Sequence, residues 1–147
     1  MATPLRRRDT GRAMSDENAE IVQRVVDATN RRDPDAFVAA LSPDVEWQDT
    51  LFWTERERTY RGAAEVRDWL NQIWEPWETL HMEALEITTA SDGRLFVGFE
   101  LTARGAESGA ETRGRFWTVT EIADGKIRTR QGFRDRAEAL EAAGLTD

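Results

Sequence analysis

Asp49 is the carboxylate best placed for acid–base chemistry, because it ends a short alternating segment. Val45, Trp47 and Asp49 are spaced two residues apart, and side chains at that spacing share one face of a β-strand. Since Val45 and Trp47 are apolar, we expect this face to be buried. A carboxylate in an apolar cavity can exchange protons with a substrate, because desolvation favours its neutral form. Asp49 could instead cap the loop that follows the strand.

The composition allows one set of His, Asp and Tyr side chains. The chain contains one His and one Tyr, so the set consists of His81, Asp49 and Tyr60. His is the side chain that most readily exchanges protons near neutral pH, and Tyr60 is expected in the loop before Gly62. This hypothesis requires that His81 face the interior of the fold, and an exposed His81 would refute it.

Aromatic side chains are predicted to line a ligand-binding cavity. Trp47, Phe99 and Trp117 lie on strand faces expected to point inward, and Trp77 continues the buried stripe of a helix. Arg115 shares a face with Trp117 and could bind an anionic group near the cavity mouth. The alternative is that the tryptophans serve only packing and that Arg115 lies at a solvated strand end.

The composition excludes several classes of mechanism. The chain has 147 residues and no Cys, so thiol catalysis, disulfide frameworks and iron–sulfur ligation are excluded. One His cannot supply two imidazoles to a metal, and the sequence shows neither a metal-ligand cluster nor a phosphate-binding loop. We therefore expect no metal and no cofactor, in a chain whose length suits one domain.

The charge is distributed unevenly along the chain. The net charge is −8, but residues 1–12 sum to +3 and the remainder to −11. We expect residues 1–14 to form a disordered basic tail and residues 15–147 to form the domain. An acidic domain is a poor partner for nucleic acid. No secretory signal or membrane-spanning run is apparent, so a cytoplasmic location away from membranes is expected.

Helices are predicted to precede most of the strands that position these side chains. Ser15 is expected to cap the first helix, Asp33-Pro34 to begin the second, and Gly62 to precede the third. A strand containing Val45–Asp49 lies between the second and third helices, and Gly144 closes a last helix. The other strands are predicted over residues 80–90, 95–104, 111–122 and 127–133. This order predicts an α+β fold in which a curved antiparallel sheet wraps around the N-terminal helices and encloses a cone.

Five short motifs follow one another in a fixed order, at residues 30–36, 41–47, 60–66, 124–127 and 138–145. The second has the pattern L-x-x-D-V-x-W. Together the motifs resemble the nuclear transport factor 2-like superfamily, most closely its SnoaL-like branch, over nearly everything from Ser15 onward. The resemblance implies the cone-shaped fold but no single activity, because the superfamily contains isomerases, dehydratases, cyclases, epoxide hydrolases and non-catalytic binding proteins.

The resemblance implies a proton-shuttling role for Asp49, which matches the carboxylate on the first strand of the ketosteroid isomerases. The Tyr and the protonated Asp of their oxyanion hole match Val25 and Trp117 here. Because these positions do not supply two donors aimed at a developing oxyanion, a steroid isomerase is not implied.

Other activities of the superfamily are matched only in part. The epoxide hydrolases need an Arg and two acidic groups around one water, and the matching positions here are Glu100, Thr102 and Gln131. The Asp of the SnoaL-type cyclases lies close to Gln131, an amide that cannot take a proton as a carboxylate does. A dehydratase of this fold would use a His, a Tyr and an Asp, which His81, Tyr60 and Asp49 could supply.

The sequence therefore predicts a protein that binds a small apolar or aromatic ligand in an aromatic-lined cavity. Its chemistry, if any, would be cofactor-free acid–base catalysis by Asp49, of isomerase, cyclase or dehydratase type, on an apolar or polyketide-like substrate. The alternative is a non-catalytic binding or interaction module, favoured if Trp47, Phe99 and Trp117 fill the cavity. A homodimer through the outer face of the sheet is expected, with Arg128 and Arg130 on that face.

Overall fold

The structure is a computed structural model that describes residues 3–49 and 58–145, with side chains described from residue 16 onward. Helices alternate with strands at the start of the chain, and a run of four strands follows. The helices are α1 (Thr3–Arg31), α2 (Pro34–Ala39), α3 (Ala63–Trp74) and α4 (Arg136–Ala142). The strands are β1 (Leu41–Asp49), β2 (Arg58–Arg61), β3 (Trp77–Thr89), β4 (Leu95–Gly105), β5 (Glu111–Ala123) and β6 (Lys126–Phe133).

The six strands form one curved, unclosed sheet in the order β2-β1-β6-β5-β4-β3. The predicted α+β fold is confirmed, with one difference in strand direction. Strands β3 to β6 form antiparallel pairs in sequence, whereas β1 pairs parallel to β6. The sheet is therefore mixed, because the β1–β6 pair is parallel and the other strand pairs are antiparallel. One consequence is that Asp49 of β1 and the end of β6 lie at the same side of the sheet.

The helix boundaries follow the predicted signals in part. Asp33 caps α2 by accepting a hydrogen bond from the Ala36 N–H at 3.0 Å, as predicted. Helix α1 passes through Ser15 instead of beginning there, because a serine interrupts a helix only weakly. The division into a tail of residues 1–14 and a domain of residues 15–147 stays a prediction. The basic side chains of residues 1–14 lie outside the part of the chain whose side chains are described.

Helices α1 and α3 pack their apolar faces against the inner face of the sheet and form the main core. Asn30 fixes the end of α1 to the edge strand β3, since its side chain both donates to the Met82 carbonyl at 2.9 Å and accepts from the Met82 N–H at 2.7 Å. On α3 the buried stripe includes Val66, Trp69 and Leu70. Helix α1 is thus hydrogen-bonded to the edge strand β3, and α3 contributes its buried stripe to the same core.

A second, smaller core lies on the outer face of the sheet, beneath α4. Phe96 and Val119 contact Ala139 and Leu140 there, and Trp117 packs against them. Gly98 makes room for Trp117, because a Cβ at residue 98 would lie 3.1 Å from the indole ring. Asp135 caps α4 by accepting from the Ala137 N–H at 2.8 Å. Helix α4 thus covers part of the outer face and leaves the rest to polar side chains.

Residues 50–57, between β1 and β2, lie outside the described part of the chain. Within the described ranges, no helix combines the length and apolar character that crossing a membrane requires.

Candidate functional site

The inner face of the sheet and the helices above it enclose an apolar cavity. The space open to the centre of a water molecule is about 60 Å³, which is room for a small ligand. Its walls are mainly aliphatic and aromatic, and its polar groups come from Thr29, Thr118, Thr120 and Arg130. The apolar lining residues are Val22, Val25, Phe37, Trp47, Trp69, Leu70, Ile73, Leu80, Met82, Phe99, Leu101, Phe116 and Ile127.

Asp49 lies on the inner face of β1 together with Val45 and Trp47, as the alternation predicts. Its side chain is only 2% exposed. The indole N–H of Trp69, on α3, donates to the Asp49 carboxylate at 2.8 Å, and Trp69 itself lines the cavity. A buried carboxylate needs such donors, because an unpaired charge is costly away from water. Asp49 is therefore bound to a cavity-lining residue of α3, but it is not itself among the residues that line the cavity.

Arg130 also points into the cavity, which corrects the prediction that it lies on the outer face. Ile127 and Arg130 both line the cavity although they are three residues apart. The pairing of β5 with β6 shifts register between Glu121 and Ile122, so one extra residue stands in β6. A bulge of this kind reverses the alternation beyond it, and this places the Arg130 side chain inside.

Aromatic rings and a carbonyl hold the Arg130 guanidinium. Its central carbon lies 4.7 Å from the ring centroid of Trp47 and 6.0 Å from that of Phe116, within the range of cation–π attraction. It donates to the Gln48 carbonyl at 2.8 Å. Gly132 leaves space for it, since a Cβ there would lie 2.9 Å from Nη1. The bulge, Gly132 and the aromatic wall together hold the Arg130 guanidinium inside the fold.

The site contains two opposite charges. Asp49 and Arg130 are the two charged side chains classed as buried among the described residues. Burial lowers the pKa of Arg130 to about 10, and the negative charge of Asp49 offsets this in part. At neutral pH the guanidinium is still protonated. An aromatic cavity with a buried carboxylate and a buried cation can polarise a bound ligand and move a proton on it.

The indole of Trp47 connects these groups. Its ring lies 5.4 Å from that of Phe37 and 5.4 Å from that of Trp69, measured between centroids. Within the described residues its buried N–H donates to no acceptor. Trp47 and Phe99 line the cavity, as predicted, and Phe99 stacks on Phe116 at 4.9 Å. The aromatic wall therefore surrounds an open space and does not fill it.

Tyr60 lies close to the site but in a strand, not in the predicted loop. It is 8% exposed and pairs across β2 and β1 with Trp47. Burial raises the pKa of Tyr60, and the charge of Asp49 adds to that increase, while Arg58 opposes it. The Arg58 guanidinium carbon lies 4.8 Å from the Tyr60 ring centroid. Tyr60 is part of the core that supports Trp47 and Trp69.

His81 is exposed, which contradicts the predicted set of His81, Asp49 and Tyr60. Its neighbours Leu80 and Met82 are buried and line the cavity, so alternation directs His81 to the outer face of β3. The set is therefore not assembled. The described residues also contain no group of three His, Asp or Glu side chains that could hold a metal ion.

Three further predicted binding residues lie on the outer face. Arg115 is exposed and pairs with Glu100 at 3.4 Å. Trp117 packs on the second core, and Gln131 lines a polar groove of about 270 Å³ beside Gln48 and Thr129. The prediction that Arg115 and Trp117 of β5 point inward is thus wrong, because the inward side chains are those of the alternate residues. Phe116, Thr118 and Thr120 take the inward positions, because Phe116 pairs directly with the inward-facing Phe99.

Trp77 does not continue the stripe of α3, because that helix ends at Trp74. Trp77 opens β3, where it is half-buried and packs against the main core. Its carbonyl accepts a short hydrogen bond from Arg32. Trp77 thus supports the end of the sheet beside α1.

A comparison with family profiles matches residues 22–130 to the SnoaL-like domain. This range contains the cavity-lining segments of α1, β1, α3 and the strands, together with Asp49 and Arg130. The chain belongs to the SnoaL-like domain family. The resemblance drawn from the motifs is therefore confirmed, as is the fold of the wider nuclear transport factor 2-like group.

Solved structures of this SnoaL-like protein's fold include complexes with small molecules. A ketosteroid isomerase-like protein from Catenulispora acidiphila, in complex with trimethylamine, has a TM-score of 0.69 at 16% identity, over 86% of this chain and 94% of the other. TerC, co-crystallised with polyporic acid, has a TM-score of 0.69 at 18% identity, over 87% and 98%. A protein from Xanthomonas campestris, described as a polyketide cyclase, has a TM-score of 0.66 at 18% identity, over 88% and 98%. At such identities these likenesses show the fold. No curated protein matches the chain.

Proposed function

We propose that this SnoaL-like protein binds a small, largely apolar ring compound in the inner cavity and that Asp49 performs cofactor-free acid–base chemistry on it. Isomerisation, cyclisation and dehydration are the reaction types that this chemistry supports. The observation that carries the proposal is the buried Asp49 carboxylate, which accepts a hydrogen bond at 2.8 Å from the indole of Trp69, a residue that lines the aromatic cavity.

Asp49 would take a proton from a carbon next to a carbonyl group and return it to another atom of the ligand. The Trp69 N–H would hold the carboxylate in place through its hydrogen bond to Oδ2, and the carboxylate would accept the proton. Because the cavity is apolar, water would compete little with this transfer. Two similar folds crystallised with small molecules, trimethylamine and polyporic acid, support ligand binding at the family level.

The proposal is tested with 2-tetralone, a two-ring ketone whose α-hydrogens report on proton abstraction. In D₂O the protein should accelerate their exchange for deuterium, followed by NMR. Asp49→Asn should abolish the acceleration while quenching of tryptophan fluorescence by the ketone is retained. Glu100→Gln, a carboxylate-to-amide change on the outer face, is the matched control and should leave exchange unchanged. Equal exchange in wild type and Asp49→Asn would refute the role of Asp49.

A non-catalytic binding module is the second candidate, and one observation favours it. Asp49 is already engaged by Trp69, and the polar groups that line the cavity come from other residues. In that case 2-tetralone would quench tryptophan fluorescence but its exchange would match that of the buffer. The same experiment therefore separates the two functions.

The predicted homodimer is retained as a proposal. The outer face offers a polar groove flanked by Glu46, Arg61 and Arg94, and its charges could pair across a two-fold axis. Sedimentation analysis at increasing protein concentration would show a dimer or a monomer. The cytoplasmic location and the absence of nucleic-acid partners stay predictions.

A further inference from the structure

One end of the cavity gathers its most polar groups, and we name Arg130, Thr118 and Thr120 the polar pole. Thr120 pairs directly with Arg130 across β5 and β6, and Thr118 pairs with Gly132, over which the guanidinium extends. The three side chains line the cavity and are 6%, 3% and 4% exposed, respectively. Two hydroxyls and a guanidinium therefore face the same small space on adjacent strands.

The Arg130 guanidinium has more hydrogen-bonding capacity than its partners among the described residues use. A guanidinium carries five N–H donors, and within the described residues the hydrogen bond found for it is that from Nη1 to the Gln48 carbonyl. Its face is occupied by Trp47. Asp49 compensates the cost of burial only in part. A buried cation in this state favours a ligand that brings an acceptor with negative charge.

The remainder of the cavity determines the rest of the ligand. Away from the polar pole and Thr29, the lining is aliphatic or aromatic, so a second charged group would be desolvated without a partner. A cationic ligand would be repelled by Arg130. The available volume of about 60 Å³ favours a small ligand.

From this geometry we infer that the polar pole is an anion subsite and that the ligand is a flat apolar ring compound with one acidic oxygen, as a carboxylate, phenolate or enolate. This inference rests on the proposed function, because it assumes that the cavity is the ligand site. It adds a class of ligand and a specificity-determining role for Arg130, Thr118 and Thr120.

The test compares acids with neutral compounds of the same shape. Binding of benzoate and 2-naphthoate is measured against benzamide and 2-naphthamide by calorimetry at neutral pH and fixed salt. The acids should bind about tenfold or more tightly than the amides, as expected for a charge-assisted contact away from water. Raising the salt concentration should reduce this preference little, because a buried pair is weakly screened.

Variants locate the preference at the polar pole. Arg130→Gln should reduce it to less than about twofold, with the affinity for the amides nearly unchanged. The double variant Thr118→Val/Thr120→Val keeps shape and charge and should reduce it in part. Arg115→Gln, which removes an exposed guanidinium on the outer face, is the matched control and should leave it unchanged. Circular dichroism checks that each variant is folded.

The outcomes separate this inference from the proposed function. If acids and amides bind equally, or if a cation such as benzyltrimethylammonium binds best, the anion subsite is refuted while ligand binding in the cavity stands. If neither acids nor amides bind, and 2-tetralone also fails to quench tryptophan fluorescence, both proposals are refuted. If the preference persists in Arg130→Gln and in the double threonine variant, the anion is bound elsewhere and the inference is overturned.

Discussion

The two faces of one sheet differ in how they treat charge. On the inner face, a carboxylate and a guanidinium are almost completely buried beside an aromatic cavity. On the outer face, Glu46 pairs with Arg61 and Glu100 with Arg115, and these side chains are largely exposed apart from that of Glu100. Exposed pairs contribute little free energy, whereas buried charges are costly unless they are paired or used. On the proposed function, the inner charges would be retained because they act on the ligand, whereas the outer ones are mostly solvated.

The largest expected effect tests this contrast with one chemical change on each face. Asp49→Asn should lower the free energy of unfolding by about 3 kcal/mol, because it removes the nearby buried negative charge and leaves the Arg130 cation uncompensated. Glu100→Gln should change it by less than about 0.5 kcal/mol. Urea unfolding measures both. The double variant Asp49→Asn/Arg130→Met should recover much of the loss, and equal costs for the two single variants would invalidate the contrast.

Tryptophan replacements give the next largest effect. Trp69→Phe should lower the free energy of unfolding by about 2 kcal/mol, since it deletes the indole N–H that binds the Asp49 carboxylate. Trp117→Phe, on the outer face, loses packing over Gly98 and should cost about 1 kcal/mol. Thermal unfolding of the two variants side by side gives the comparison. A larger cost at residue 117 would mean that the Asp49–Trp69 bond contributes little.

The two glycines that make space on opposite faces should separate stability from binding. Gly98→Ala should lower the free energy of unfolding by about 1 kcal/mol, because the new methyl group would crowd Trp117, and should not alter the affinity for 2-naphthoate. Gly132→Ala should weaken 2-naphthoate binding, because the methyl group displaces the Arg130 guanidinium. Calorimetry and urea unfolding of both variants check this. The opposite assignment of effects would place the binding site on the outer face.

The smallest effect concerns the ionisation of Tyr60. The raised pKa of Tyr60 means that the folded protein keeps this proton at pH values where the unfolded chain, near pH 10, has lost it. The neutral phenol therefore contributes stability that is fully present below pH 10 and is lost as pH rises through the folded-state pKa. Near-ultraviolet titration of tyrosinate should show a later midpoint in the folded than in the denatured protein. Tyr60→Phe should abolish the signal, and coincident midpoints would contradict the prediction.

Much of the fold follows from local signals in the sequence. Asp33 and Asp135 cap their helices by accepting backbone N–H groups, and Asp124-Gly125, both with positive φ, form a tight turn between β5 and β6. The alternation of Val45, Trp47 and Asp49 correctly gives the inner face of β1. These features depend on a few neighbouring residues, which is why the sequence reveals them.

The polar half of the site was missed because it depends on register between strands. Residues 115–120 carry apolar side chains on both faces, so alternation alone does not choose between Phe116 and Trp117. The register of β5 on β4 decides between them, because Phe116 pairs directly with the inward-facing Phe99. The bulge that turns Arg130 inward leaves no local signal, although Gly132 two residues later is consistent with a long side chain passing over it.

The central claim is that the inner face is the binding face, and the indole N–H signals of the tryptophans test it directly. In a ¹⁵N-labelled sample, assigned through Trp→Phe variants, 2-naphthoate should shift the signals of Trp47 and Trp69, which line the cavity. The signal of Trp117 on the outer face should not move. Shifts at Trp117 with Trp47 and Trp69 unaffected would contradict the account.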